Sequence, residues 1–208
     1  MHLVILAHPT PDSFSDALAH AYAAGLRRAG AQVELLVLRD LRFDPILRAG
    51  FGPGQELEPD LRRAQLAIER AEHVAWFFPT WWAGPPALLK GFIDRAFLPG
   101  WAFRYRIRGE LPDQLLKGRA ARVVTTMDSP GWWYRLWHRR SVHASLVNAT
   151  LRFVGIGPIH ETTFYSQRAR KPDERRGWLA QMERIGERDG RPRGRRTAPA
   201  GSLLEPNS

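Results

Sequence analysis

Residues 2–7, HLVILA, are apolar at consecutive positions instead of alternate ones. A strand of that kind needs cover on both faces, which a parallel sheet with helices on either side supplies and a half-wet antiparallel sheet does not. Beyond it the period changes to three and four. From Ser13 onward Phe14, Ala17, Leu18, Ala21, Tyr22, Gly25 and Leu26 share one helical face, with Ser13 or Ser15 as N-cap and Gly30 as C-cap. The alternation then repeats. AQVELLVLR (31–39), HVAWFFP (73–79), RAARVVTTM (119–127) and GPIHETTFY (157–165) read as further strands. Helices are expected over 60–72, from Pro86 through Phe97, over 141–153 on Val142, Leu146, Ala149, Leu151 and Phe153, and over 171–188. DSPGWWYRLWHRR (128–140) reads as a loop, and 98–118 as irregular.

Five strands alternating with five helices predict an open, mostly parallel α/β sheet in one domain over 1–188. A stretch from 189 to 208, rich in Arg, Pro and Gly, buries little and is expected to be a flexible tail. With 208 residues and 44% apolar composition, one full core is within reach. The formal charge of +10 favours anionic partners without choosing among them. No cysteine is present, which excludes disulfides, thiolate metal sites and a cysteine nucleophile, so redox chemistry would need a borrowed cofactor. The first apolar run is too short for a signal core or a membrane span, and a cytoplasmic location is the expectation. The histidines show no metal-ligand spacing, and no nucleic-acid-binding pattern accompanies the basic tail.

In an open parallel sheet, ligands sit outside the carboxyl ends of the strands, near the point where strand order reverses. Three segments fall at that edge: HPTPDSFSDA, PTWWAGPP and TTMDSPGWWY. Ser13, Phe14 and Ser15 open a helix whose free N–H groups suit a phosphate, although plain N-capping is the commoner reason for serines at such a position. His8 is either a structural histidine or a ligand contact. Neither a G-x-G-x-x-G turn nor a P-loop occurs, which argues against a dinucleotide-binding Rossmann domain and a P-loop enzyme. Trp81 and Trp82 lie past their strand in a loop stiffened by Pro79, Pro85 and Pro86, placed either to wall a planar ring or to fill core or interface. Trp132, Trp133 and Tyr134 form a second aromatic cluster.

The motifs LAHPTPDSFSDAL, FPTWWAGPPALLKGFIDRAF and PGWAFRY, in that order, resemble those of the flavodoxin-like NAD(P)H:quinone oxidoreductases. That group includes mammalian quinone reductase, bacterial modulators of drug activity and the ancillary reductases of potassium-efflux systems. The resemblance runs over roughly residues 2–165. It implies a flavodoxin-like three-layer sandwich with a five-stranded parallel sheet of order 2-1-3-4-5, and a bound flavin, FMN ahead of FAD. Position by position, His8, Ser13, Phe14 and Ser15 would hold the phosphate end. Pro79, Thr80, Trp81 and Trp82 would line the ring, and Thr125, Thr126, Met127 and Asp128 would meet its other edge. Where the family has Thr-Thr-Gly-Gly, this chain has Thr125-Thr126-Met127-Asp128, and Ser15 replaces a usual Asn. Relay residues transfer less cleanly: Tyr134 and His138 are the expected catalytic pair, with His143 also near.

By the same likeness, NAD(P)H would reduce the flavin and a quinone or similar flat acceptor would take its place, in ping-pong order. Backbone N–H groups of the 79–82 and 125–128 turns would face the negative charge of the reduced ring. A homodimer is implied, with Trp101, Phe103 and Tyr105 as candidates for the contact or the pocket wall. No membrane insertion and no nucleic-acid partner are expected. The alternative function is a flavodoxin-like regulatory subunit docked on a membrane transporter.

Overall fold

A computed structural model describes residues 1–106 and 111–191. The sheet is built from β1 (His2–Leu6), β2 (Val33–Val37), β3 (His73–Pro79), β6 (Ala120–Thr126) and β7 (Ile159–Phe164), all parallel, in the order β2-β1-β3-β6-β7. Two short antiparallel strands intervene in the chain, β4 (Phe103–Arg104) and β5 (Asp113–Gln114), inside the segment expected to be irregular. Set aside that ribbon, and the sheet has the expected 2-1-3-4-5 order.

Burial follows strand position. Every residue of β3 and β6 is buried, as is β1 apart from His2, whereas edge strands β2 and β7 are partly open. Alternate side chains feed two cores. Leu3, Ile5, Trp76, Phe78 and Val123 point into one, beneath α2 (Pro59–Arg70) and α3 (Ala87–Ala96). Val4, Leu6, Ala75, Phe77 and Val124 point into the other, beneath α1 (Phe14–Arg28) and α5 (Pro172–Gly190). These helices make the outer layers of a three-layer sandwich.

Glycine allows α1 and α5 to touch backbone to backbone. A Cβ on Gly25 would lie 2.0 Å from Glu183 O, and one on Gly186 would lie 2.2 Å from Tyr22 O. The helix also runs past the expected domain end at 188. Asp189, in its last turn, pairs with Arg122 of β6 at 2.5 Å and accepts a hydrogen bond from Tyr22 Oη at 2.8 Å. The remainder of the expected tail, residues 192–208, lies outside the described residues.

Two segments differ from the sequence reading. A six-residue helix, α4 (Gly131–Leu136), forms where a loop was expected. The helix expected over 141–153 widens into a π-helix at His143–Arg152. Its wider turn spaces the buried residues as Val142, Leu146, Val147 and Leu151, and it leaves Ala149 and Phe153 outside the core. Among the described residues, no helix is long and apolar enough to cross a membrane.

Candidate functional site

The carboxyl ends of β1, β3 and β6 open onto one cleft of about 230 Å³. At β1, the chain leaves through His8, whose Nδ1 lies 2.9 Å from Thr10 O and 3.1 Å from Thr10 N. This local loop turns the chain toward α1. Ser13 caps the helix: its Oγ accepts from Asp16 N–H at 3.2 Å and donates to Asp16 Oδ2 at 2.6 Å, while Asp16 Oδ2 also accepts from Ser13 N–H at 2.8 Å. Arg39 completes the corner with a 2.8 Å ion pair to Asp16. Burial pushes the Asp16 carboxyl up, but the Ser13 and Arg39 contacts outweigh it and hold its pKa below the ordinary value. Ser13 is therefore occupied as a cap and does not line the cleft. Phe14 and Ser15 do. Ser15 is only 3% exposed, and its hydroxyl has no hydrogen-bond partner among the described residues.

At β3, the turn is unusually tight. Trp81 and Gly84 exchange backbone hydrogen bonds of 3.0 and 2.8 Å around Trp82 and Ala83, which have φ of 51° and 57°. Two consecutive left-handed residues make the type I′ hairpin turn that usually takes Asn-Gly, and each non-glycine residue there costs about 1–2 kcal/mol. Ser141 Oγ donates to Ala83 O at 2.5 Å and ties the tip down. The turn separates the two tryptophans. Trp81 lines the cleft with its ring edge-on to His8, centroids 5.5 Å apart. Trp82 projects from the tip and is fully exposed, so the expectation that its side chain lines a ring is corrected.

At β6, Thr125 is completely buried and lies one layer below the cleft, its Oγ1 2.7 Å from Thr80 Oγ1. Thr126, Met127 and Asp128 face the opening beside Pro79 and Thr80. Backbone bonds lock this floor, with Thr80 N–H on Thr126 O at 2.7 Å and Met127 N–H on Phe164 O at 3.0 Å. Those amides, and that of Trp81, are already paired, so of residues 79–82 and 125–128 only Trp82 and Asp128 keep an N–H without a backbone acceptor among the described residues. The expected row of ring-facing amides is thus reduced to two.

Sequence reasoning missed the fourth wall. Gln167 and Arg168, in a short 3₁₀ turn between β7 and α5, also line the cleft. The signal for them is tertiary: Ser166 takes φ 54° and turns the chain back over the β6 exit.

Tyr134 and His138, expected as the catalytic pair, do not line the cleft. Tyr134 is 1% exposed and its Oη lies 2.8 Å from His143 Nδ1, while His138 Nε2 accepts from Trp133 Nε1 at 3.2 Å. The partner of Tyr134 is therefore His143. Burial raises the Tyr134 pKa. Burial also lowers that of His143, against the pull of Glu161 at 3.8 Å. The short α4 turns Tyr134 inward, while Trp132 and Leu136, with Trp137 just beyond the helix, are exposed, and Trp137 stacks on the half-buried Trp133 at 5.1 Å. Of the candidates for a dimer contact, Trp101 donates Nε1–H to Glu69 at 2.6 Å, Phe103 is core, and Tyr105 is exposed.

Comparison with known proteins agrees with the fold. A family model described as flavodoxin-like fold matches residues 1–185. NAD(P)H dehydrogenase (quinone) 1 of Cavia porcellus is 26% identical over 217 residues, covering 88% of this chain and 76% of that protein. Among solved structures, Smu.1420 from Streptococcus mutans UA159 superposes with a TM-score of 0.79 at 27% identity, over 90% of this chain and 98% of that one. The NAD(P)H:quinone oxidoreductase from Methanothermobacter marburgensis superposes with a TM-score of 0.76 at 25% identity, over 93% and 99% of the two chains.

Proposed function

This chain belongs to the flavodoxin-like fold family, and from that premise we propose that it is a flavin-dependent NAD(P)H:quinone oxidoreductase. The relatives named for that activity span most of its length. One observation carries the reading further: turns from three separate strands, chosen from the sequence, converge on a single cleft with an acceptor-seeking end and a flat aromatic end.

The residues present fit a flavin mononucleotide. At the cleft, the Ser15 hydroxyl and the N–H groups of Phe14 and Ser15, which lack a backbone acceptor among the described residues, are donors that suit an anion. At the other end Pro79, Trp81 and Met127 offer apolar cover, while Thr80, Thr126 and Asp128 offer polar edges. A flavin held by these residues would supply the hydride chemistry between NAD(P)H and a quinone, in ping-pong order. The chain itself orients and encloses. His8 braces Trp81 edge-on, so the indole is held as a wall. The Thr80–Thr125 and Thr80–Thr126 bonds fix the floor before any ligand arrives, which lowers the ordering cost of binding. Trp82 and Asp128 N–H groups are the backbone donors left for charge that develops on a ring. Tyr134 and His143 do not line the cleft, and a proton role for them requires an opening of the α4 segment. A homodimer, with Tyr105 and the outward face of α4 as available surface, completes the proposal.

The test is direct. The purified protein is expected to be yellow, to release FMN on denaturation, to bleach with NADPH or NADH, and to regain colour with a quinone. A colourless protein that takes up neither FMN nor FAD would defeat the reading.

A further inference from the structure

From Ser129 to His160 the chain carries four arginines and no Asp or Glu. The α4 segment presents part of that run to solvent. Trp132, Leu136 and Trp137 are 62, 75 and 71% exposed, although such side chains ordinarily gain by burial. The rings are clustered: Trp132 meets Trp133 edge-on at 5.6 Å, and Trp137 stacks on Trp133 at 5.1 Å. Trp133 donates its Nε1–H to His138 at 3.2 Å, so the cluster is held from within. Arginines stand among these groups. Arg135 and Arg139 are exposed and have no carboxylate partner among the described residues, whereas Arg140 is paired with Glu161. Arg139 and Arg140 take φ of 46° and 54°, a left-handed backbone that is unfavourable for residues other than glycine. Bonds from Arg140 N–H to Tyr134 O at 3.2 Å and from Ser141 N–H to His138 O at 2.9 Å hold the chain there. Ser141 then ties the β3 turn, with the fully exposed Trp82, beside the end of the segment. The same turn carries Trp81 in the cleft, so this surface adjoins the candidate site.

Clustered indoles, an aliphatic side chain and unpaired guanidiniums together suit the boundary of an anionic bilayer. Indoles favour the depth where one side is apolar and the other wet, and arginines at that depth meet lipid phosphates. A second copy is a poorer match. A two-fold contact centred on this face would set Arg135 and Arg139 against their own copies, with no acid in the run to offset them. Single-stranded nucleic acid would use the rings and the arginines but leave Leu136 without a partner. We propose that the α4 face, from Trp132 to Arg140, is a docking surface for membranes rich in anionic lipid, which leaves the Tyr105 face for a second copy. Among the described residues no helix is long and apolar enough to cross a bilayer, so the contact is peripheral. It stands apart from the flavin reading, because it is read by vesicle binding.

The full chain is sedimented with vesicles of phosphatidylcholine alone and of phosphatidylcholine mixed with phosphatidylglycerol, and light scattering without vesicles gives its oligomeric state. Two matched variants are compared with it: Leu136→Ser with Arg139→Asn on the α4 face, and Leu66→Ser with Arg63→Gln on α2. Each removes one exposed apolar side chain and one exposed cation, and Asn tolerates the left-handed backbone at 139. The arginines of residues 192–208 are common to all three chains. Wild type is expected to bind the anionic vesicles, more weakly in high salt. The α4 variant is expected to lose about tenfold or more in affinity, and the α2 variant to stay within about twofold of wild type. Thermal melts check the fold, and Trp132→Ser alone replaces the α4 pair if that pair unfolds. A wild type that binds neither vesicle, or equal binding by all three chains, would overturn the proposal. So would a change of oligomeric state confined to the α4 variant, which assigns the face to a second copy. Loss of single-stranded DNA binding in that variant, with vesicle binding unchanged, would assign it to nucleic acid and overturn the proposal as well.

Discussion

Ending the chain after Arg188 is expected to cost far more stability than ending it after Arg191. Arg122 sits in central strand β6 at 2% exposure, a position where a charge survives only if it is paired. Its guanidinium donates to Asp189 Oδ2 at 2.5 Å and Oδ1 at 3.0 Å, and to Thr162 Oγ1 at 3.1 Å. Asp189 also receives the Tyr22 hydroxyl at 2.8 Å. Removing one member of a buried pair costs about 3–5 kcal/mol, because the remaining charge is left without compensation. Against a total stability of about 5–15 kcal/mol that is a large fraction, and for a domain of this size it lowers Tm by about 6–20 °C. Asp189→Asn in the full chain isolates the charge from the shortening of the helix.

The pH dependence has a definite sign. Burial pushes the Asp189 carboxyl up, but the hydrogen bonds and charge of Arg122, with Tyr22, prevail and hold its folded pKa below the ordinary 3.8. A depressed folded pKa contributes stability that is complete above the unfolded value and disappears as pH falls through the folded one. The gap between wild type and Asp189→Asn should therefore be full near pH 7 and close in strong acid. Urea unfolding followed by tryptophan fluorescence measures it for chains 1–188, 1–191 and Asp189→Asn. Equal midpoints for 1–188 and 1–191 would refute the claim that this pair anchors α5.

Gly186→Ala should destabilise by about 1–3 kcal/mol, since the new methyl meets Tyr22 O at 2.2 Å and forces the helices apart. Gly177→Ala, in the same helix with nothing within 4 Å, should instead gain roughly 0.5–1 kcal/mol from helix propensity, and thermal melts of the two variants check the contrast. Trp81→Ala should weaken flavin retention by about tenfold or more through loss of a cleft wall, whereas Trp82→Ala, at the exposed tip, should leave it within about twofold. Equal retention in both would show that the ring is not walled by Trp81. Ser141→Ala removes the tie to Ala83 O and should cost about 1 kcal/mol, read from the urea midpoint.

Much of the architecture was legible in local pattern. A run buried on both faces, HLVILA, announces a central parallel strand, and β1 lies between β2 and β3. The ligand edge was legible too, because strand ends and the turns beyond them are marked by Pro, Gly and capping residues that act over a few positions. What escaped is of longer range. DSPGWWYRLWHRR buries only Tyr134, so it has no apolar face whose periodicity could mark α4. The helix expected over 141–153 was placed correctly, but its face was misjudged because a π-helix shifts the period.

The sequence by itself determined the α/β alternation, the sheet's buried centre and the three turns that meet at its rim, since hydrophobic period and turn chemistry are carried by neighbouring residues. Only the tertiary structure decided which of two adjacent tryptophans faces inward, because that depends on two left-handed dihedrals and a tie from Ser141 far along the chain. It alone decided that Tyr134 meets His143 instead of His138, that Arg168 closes the cleft, and that Asp189 belongs to the fold. Each of these is a contact between residues distant in sequence, and composition and spacing carry no record of such pairings.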